Sequence, residues 1–183
     1  MTGVQTCALP ILSAATISAR HFETLRHRYS RTPGWRVLAP SLGDIMNRQW
    51  NKLIDLNLEL LHLTMKTFHV STPIILGSAL DATGSKQDLI IHMVKSIGGS
   101  GYLSGKGARA YMDETRCNKD NIQLYWQDFH HPQYFQSHLG NFQPGCFALE
   151  WFLEEPDRAV DDFWAMVAAS ARRAGLSKRL CGQ

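Results

Sequence analysis

The sequence is poor in the features that assign a protein quickly. Its 183 residues include four cysteines, none in CxxC spacing, so neither a disulfide framework nor a zinc site is indicated and a reducing cytoplasm is the default compartment. No charge dominates: 19 Lys and Arg stand against 16 Asp and Glu, a net +3, too little and too scattered for a nucleic-acid partner. No apolar run approaches the roughly 20 residues of a membrane-spanning helix. The GxxxxGK[ST] phosphate loop and the GxSxG nucleophile elbow are missing, which disfavours a hydrolase built on Ser78 or Ser104. There is no internal repeat or low-complexity tract.

The N-terminus also lacks what a leader needs. MTGVQTCALPI has no Lys or Arg to open a signal peptide, and Pro10 breaks the short apolar run Ala8–Leu12. Read back into DNA, VTGVQTCALPI is one frame of a common sequencing-library adapter whose GTG codon is written as Met at a bacterial start. Residues 1–11 are therefore expected to be adapter translation, Cys7 to carry no chemical information, and residues 12–183 to form a single domain fragment. Cys117, Cys146 and Cys181 then remain, an odd number.

What is present reads as an α/β fold: a layered, mainly parallel sheet with flanking helices, incomplete at its N-terminus. Ser18–Tyr29, dense in Arg and His, predicts a short surface helix. Pro33, Gly34, Pro40 and Gly43 mark a linker, in which Ser41 can cap a long helix to Phe68 carrying Leu53, Leu56, Leu60 and Leu63 at helical spacing. Ile74-Ile75-Leu76 reads as a buried strand. Ser85 and Asp88 form a capping box for a helix with Leu89, Ile90, Met93, Val94 and Ile97 on one face. Gly101-Tyr102-Leu103 predicts a strand, Ala108–Met112 a helix and Ile122–Trp126 a strand. Residues 157–174 predict a C-terminal helix, whose basic end at Arg172, Arg173, Lys178 and Arg179 suits the helix dipole. The βαβαβ rhythm over 72–126 points to a parallel sheet, in which ligands bind beyond the carboxyl ends of the strands.

Those ends carry the polar candidates. Gly105, Lys106 and Gly107, with Ser104, either hold an anion on backbone N–H groups or make a tight turn that needs glycine. In WQDFHHPQYFQ, His130 or His131 can exchange protons near neutrality with Asp128 to orient it, or the segment orders a loop. Adjacent histidines on extended backbone point apart, so no metal site is expected. Tyr134, Gln136 and Trp126 are either the walls of a sugar site or core.

ILGSALDATGSKQDLIIHMVKSIGGSGYLSGKGARAYMDE, then IQLYWQDFHHPQYFQ, then FQPGCFALEWFLEE, resembles in order the WbqC-like family of bacterial proteins over about residues 18–155. The resemblance implies a cytoplasmic role in O-antigen or other surface-polysaccharide synthesis, with a small group modified on or transferred to a nucleotide-linked sugar. The alternative is a non-catalytic sugar-nucleotide binding or scaffold subunit. A nucleotide or nucleotide-sugar is the small-molecule partner implied. Lys106 and its glycines would hold phosphate, His130 or His131 would accept a proton, and Asp128, Tyr134, Gln136, Ser78 and Ser104 would help position substrate. Family members begin with an HQPxYxPWxGFF-like strand that is absent here, as the adapter reading requires. A fragment of this kind is expected to have little activity and reduced stability.

Overall fold

The computed structural model describes residues 14–176. Cys7, Cys181, Lys178, Arg179 and the segment read as adapter lie outside the described residues. In chain order the elements are α1 (Ala14–Tyr29), α2 (Trp35–Met46), α3 (Leu53–Thr67), α4 (Lys86–Ser96), β1 (Gly101–Ser104), α5 (Glu114–Lys119), β2 (Gln123–Trp126), α6 (Glu150–Glu154) and α7 (Pro156–Arg173). They divide into two units. One takes the chain up to Thr72 with His131–Phe163; the other takes Pro73–His130 and the chain from Trp164 onward. The fold class is α/β.

The first unit is helical around an apolar core. Trp35, Leu38, Leu42 and Ile45 on α2 are buried with Leu63, Phe68, Leu149, Trp151 and Leu153, each such side chain contributing about 1.5–3 kcal/mol when fully buried. That stripe overrides the punctuation that had marked a linker: α2 runs through Pro40, and Ser41 is inside it. The long helix expected from Gly43 is instead two, broken between Met46 and Leu53. Gly34 is needed for close approach. Its amide donates to the Leu153 carbonyl at 2.9 Å, and a Cβ there would sit 2.3 Å from the Phe152 carbonyl oxygen and 2.8 Å from Leu153 Cα.

The second unit holds the sheet. β1 and β2 pair in parallel, Gly101 opposite Gln123 through Ser104 opposite Trp126, joined by a 3₁₀ turn (Lys106–Ala110) and α5. Leu124 and Ile122 are buried with Ile91, Val94, Ala108, Met112 and Cys117. Buried Gln87 ties α4 to the start of α5, donating to the Asp113 carbonyl at 2.7 Å and accepting from the Asp113 amide at 3.0 Å. Asp113 in turn caps α5 through the Thr115 and Arg116 amides.

Three local expectations change. Ile74-Ile75-Leu76 forms no strand and is exposed: Leu76 has extended backbone, but a strand also needs a partner's ladder, and among the described residues the sheet is β1 and β2 alone. The Ser85 side chain makes no capping hydrogen bond, and the Asp88 carboxylate pairs with Arg116 on α5. The helix expected over Ala108–Met112 is the short 3₁₀ turn. The last helix ends as expected near Gly175, whose φ of +75° lets its amide and that of Leu176 close on the Arg172 and Ala171 carbonyls.

Gly34→Ala is expected to destabilise the protein by about 3 kcal/mol, because backbone on α6 must move to admit one methyl. Urea unfolding followed by tryptophan fluorescence checks this; a midpoint within error of the parent contradicts it.

Candidate functional site

Parallel pairing makes both strands of the second unit end at one edge. The ladder continues one step past the register, with the Gln127 amide donating to the Ser104 carbonyl at 2.8 Å. The loop after β1 and the loop after β2 therefore leave side by side. Lys106 from the first and Asp128 from the second meet, Nζ donating to Oδ1 at 2.8 Å.

A third element completes the cluster. In the last turn of α7, Arg173 Nε donates to Asp128 Oδ2 at 2.8 Å and Nη2 to the Asp128 carbonyl at 3.1 Å, while Ser170 Oγ donates to that same carbonyl at 2.9 Å. Arg173 Nη2 is also 3.2 Å from His130 Nδ1, and Asp128 Oδ2 is 3.8 Å from the same nitrogen. Lys106 donating to the carboxylate, assisted by Arg173 against a smaller desolvation penalty, holds Asp128 below the usual carboxylate range. Close by, the Arg109 guanidinium stacks over Trp126, 4.7 Å from the ring centre. Two cations on one partly exposed carboxylate leave a positive surface with a histidine at its edge.

The two glycines lie in a tight turn, the Ala108 amide donating to the Gly105 carbonyl at 3.1 Å, that does not need glycine's backbone freedom. Gly105 has φ −70°, and a Cβ on Gly105 or Gly107 would meet nothing within 4 Å. They leave the backbone beside Lys106 uncovered. The 3₁₀ turn that follows is five residues long, so the charge of this edge comes from side chains and not from a helix dipole. Ser104 is 1% exposed, and its hydroxyl reaches only the Gly105 carbonyl, at 3.5 Å; it orders the loop from beneath. Ser78 lies in the exposed 3₁₀ turn Gly77–Ala79, with no hydrogen bond or ion pair to Lys106, Asp128 or His130.

His131, Tyr134 and Gln136 fall in the first unit, where the last two serve another carboxylate. Glu150 is fully buried. It accepts from Tyr29 Oη at 2.7 Å, Tyr134 Oη at 2.8 Å and Gln136 Nε2 at 2.8 Å. His138 bridges it to Glu154, Nε2 3.2 Å from Glu150 and Nδ1 3.4 Å from Glu154. Burial raises the Glu150 carboxyl, and the Tyr29, Tyr134 and Gln136 donors with His138 outweigh that, leaving it below the usual range. Burial first, then the hydrogen bond to Glu150 and its charge, pushes the Tyr29 and Tyr134 hydroxyls upward. Every polar atom of Glu150 is thus answered from within the protein, the pattern of a structural network.

Sequence reasoning missed Arg173, Glu150 and His138. Arg173 was read as part of a solvated helix end, and nothing local reveals a partner 45 residues away. Glu150 had one usable signal, an acid inside the apolar turn LEWFLE: a carboxylate carried into a core must bring its donors with it. Among the described residues no group of His, Cys, Asp and Glu is arranged to hold a metal, and no helix is long and apolar enough to cross a membrane.

The sequence profile of the WbqC-like protein family matches residues 4–161. Uncharacterized protein Rv1507c of Mycobacterium tuberculosis is 24% identical over 142 residues, 77% of this chain and 62% of that protein. The chain therefore spans less than two thirds of that relative's length. No solved structure matches the chain.

Glu150→Gln is expected to cost about 2–3 kcal/mol at neutral pH, because His138 and two tyrosine hydroxyls lose the charge they face. A carboxyl held below its usual value stabilises the fold fully above the unfolded value near 4.3 and loses that contribution as pH falls through the folded one. The parent should therefore lose stability more steeply than the variant below about pH 4. Chemical denaturation across pH 2.5–7 measures both slopes; parallel curves contradict the assignment.

Proposed function

The chain belongs to the WbqC-like protein family, and on that premise we propose that it modifies, or transfers a small group to, a nucleotide-linked sugar in the cytoplasmic synthesis of O-antigen or another surface polysaccharide. The observation that carries the reading is the meeting of Lys106, Asp128, His130 and Arg173 at the carboxyl edge of two parallel strands. That edge is where sheets of this class take nucleotides.

Each residue has a role in the reading. Lys106, with the uncovered backbone at Gly105 and Gly107, holds phosphate of the nucleotide. His130, exposed at the rim, moves a proton to or from the sugar hydroxyl that reacts. Asp128 Oδ2 lies 3.8 Å from the imidazole Nδ1, close enough to orient the ring once it turns toward it. Tyr134 and Gln136 have their polar groups taken up by Glu150 and have no part in it.

One feature favours a second reading, a binding or scaffold subunit without turnover. Neither Ser104 nor Cys117 is presented at the edge, Ser104 being buried beneath the loop and Cys117 in the core of the second unit. A transfer through a seryl or cysteinyl intermediate therefore has no support at this edge.

Calorimetry with a panel of nucleotide-sugars, on this chain and on the longer mycobacterial relative, with product analysis by mass spectrometry, separates the two. Transfer predicts binding with a new product mass; a scaffold predicts binding alone. Lys106→Ala is expected to weaken binding about tenfold or more, the loss of one charge-assisted contact to phosphate. Unchanged binding in that variant contradicts the phosphate assignment.

A further inference from the structure

We infer that Asp128 stands in the place an anionic ligand takes, and that a phosphate or diphosphate group captured by Lys106 and Arg173 releases Asp128 to orient His130 as a base. This deepens the phosphate reading above and rests on it. It adds Arg173 as a binding residue and gives Asp128 a positioning role that depends on the ligand.

The charge balance points this way. A single carboxylate bridges two cations, Lys106 on Oδ1 and Arg173 on Oδ2, both at 2.8 Å, so one positive charge is left uncompensated. The cations are reachable, with side chains 60% and 40% exposed. Exposed ion pairs contribute little to stability, so little is lost when they exchange partners. A phosphate group brings more charge and more acceptor oxygens than one carboxylate, and it matches the planar fork of an arginine. The uncovered backbone at Gly105 and Gly107 lets such a group come close.

The proton inventory gives the consequence. A guanidinium can only donate, so where Arg173 Nη2 lies 3.2 Å from His130 Nδ1, that nitrogen accepts and the ring proton sits on Nε2. The outward nitrogen of the neutral imidazole is then a donor, with no lone pair for a substrate proton. When phosphate draws Arg173 away, Nδ1 loses its donor and Asp128 loses both cations. Asp128 Oδ2, already 3.8 Å from Nδ1, turns to accept a hydrogen bond from it. The Nε2 proton exchanges to water, one returns at Nδ1, and Nε2 becomes the acceptor. Ligand binding thereby arms the base.

The test uses this chain and inorganic pyrophosphate as the probe. Long-range ¹H–¹⁵N correlation spectra, with His130→Gln to assign the ring, read the tautomer before and after addition. The expected result is a shift from the Nε2–H to the Nδ1–H form at saturation, absent in Asp128→Asn. Asp128→Asn is also expected to bind pyrophosphate about threefold to tenfold more tightly, since the competing carboxylate is gone, and Arg173→Ala about tenfold more weakly. Pyrophosphate binding that needs Lys106 but leaves the tautomer unchanged, or that is weakened by Asp128→Asn, overturns the inference and leaves the phosphate site standing. Absence of pyrophosphate binding to both the parent and Asp128→Asn overturns the phosphate reading and this inference with it.

Discussion

The parallel register of β1 and β2 is the constraint on which the functional account depends. Antiparallel pairing would send the two following loops to opposite ends. Parallel pairing, Ser104 opposite Trp126, sends both to the same end, and the Gln127 amide fixes the spacing by bonding Ser104. Lys106 and Asp128, 22 residues apart in sequence, meet for that reason. Ile122, Leu124 and Ala108, buried with α4 and α5, hold the register, since a slip of one residue would turn Leu124 out to solvent.

Two carboxylates illustrate how the same chemistry serves different ends. Glu150 is fully buried, and every partner it has is internal. Exchanging those partners for a ligand would cost the desolvation of several groups at once, so the cluster acts as a joint of the first unit. Asp128 is partly exposed and faces cations that are more exposed still. Its contacts are weak enough to give up, and the group that replaces it is defined by the charges it leaves behind. The difference in burial, more than the identity of the residues, separates structure from site.

Much of the second unit was legible in the sequence because its signals are local. Alternation from Ile122 to Trp126 and the Gly-bounded strand before Lys106 appear where expected; α4 forms too, but it buries Gln87, Ile91 and Val94 and leaves Ile97 of the expected face exposed. The family was legible too, from motifs spread along the chain. The misreadings share a cause: turn residues were weighed above the core. Pro40 and Gly43 looked like a linker, but Trp35, Leu38, Leu42 and Ile45 needed burial and made a helix through them. Ile74-Ile75-Leu76 has strand composition, yet strandedness is a property of a pair. At the site, Gly105, Lys106, Asp128 and His130 were named from their positions after strands. Arg173 was not, because the hydrogen bond that recruits it comes from tertiary structure alone.

The most direct measurement is a residue-resolved NMR titration of this chain with a nucleoside diphosphate. The account predicts amide shifts that move together at Gly105, Lys106, Gly107, Asp128 and His130, with the Arg173 side-chain resonance following the same isotherm and the amides around Glu150 and Tyr134 unmoved. Shifts centred on the Glu150 and His138 cluster, or none at the Gly105–Gly107 loop at saturation, would contradict it.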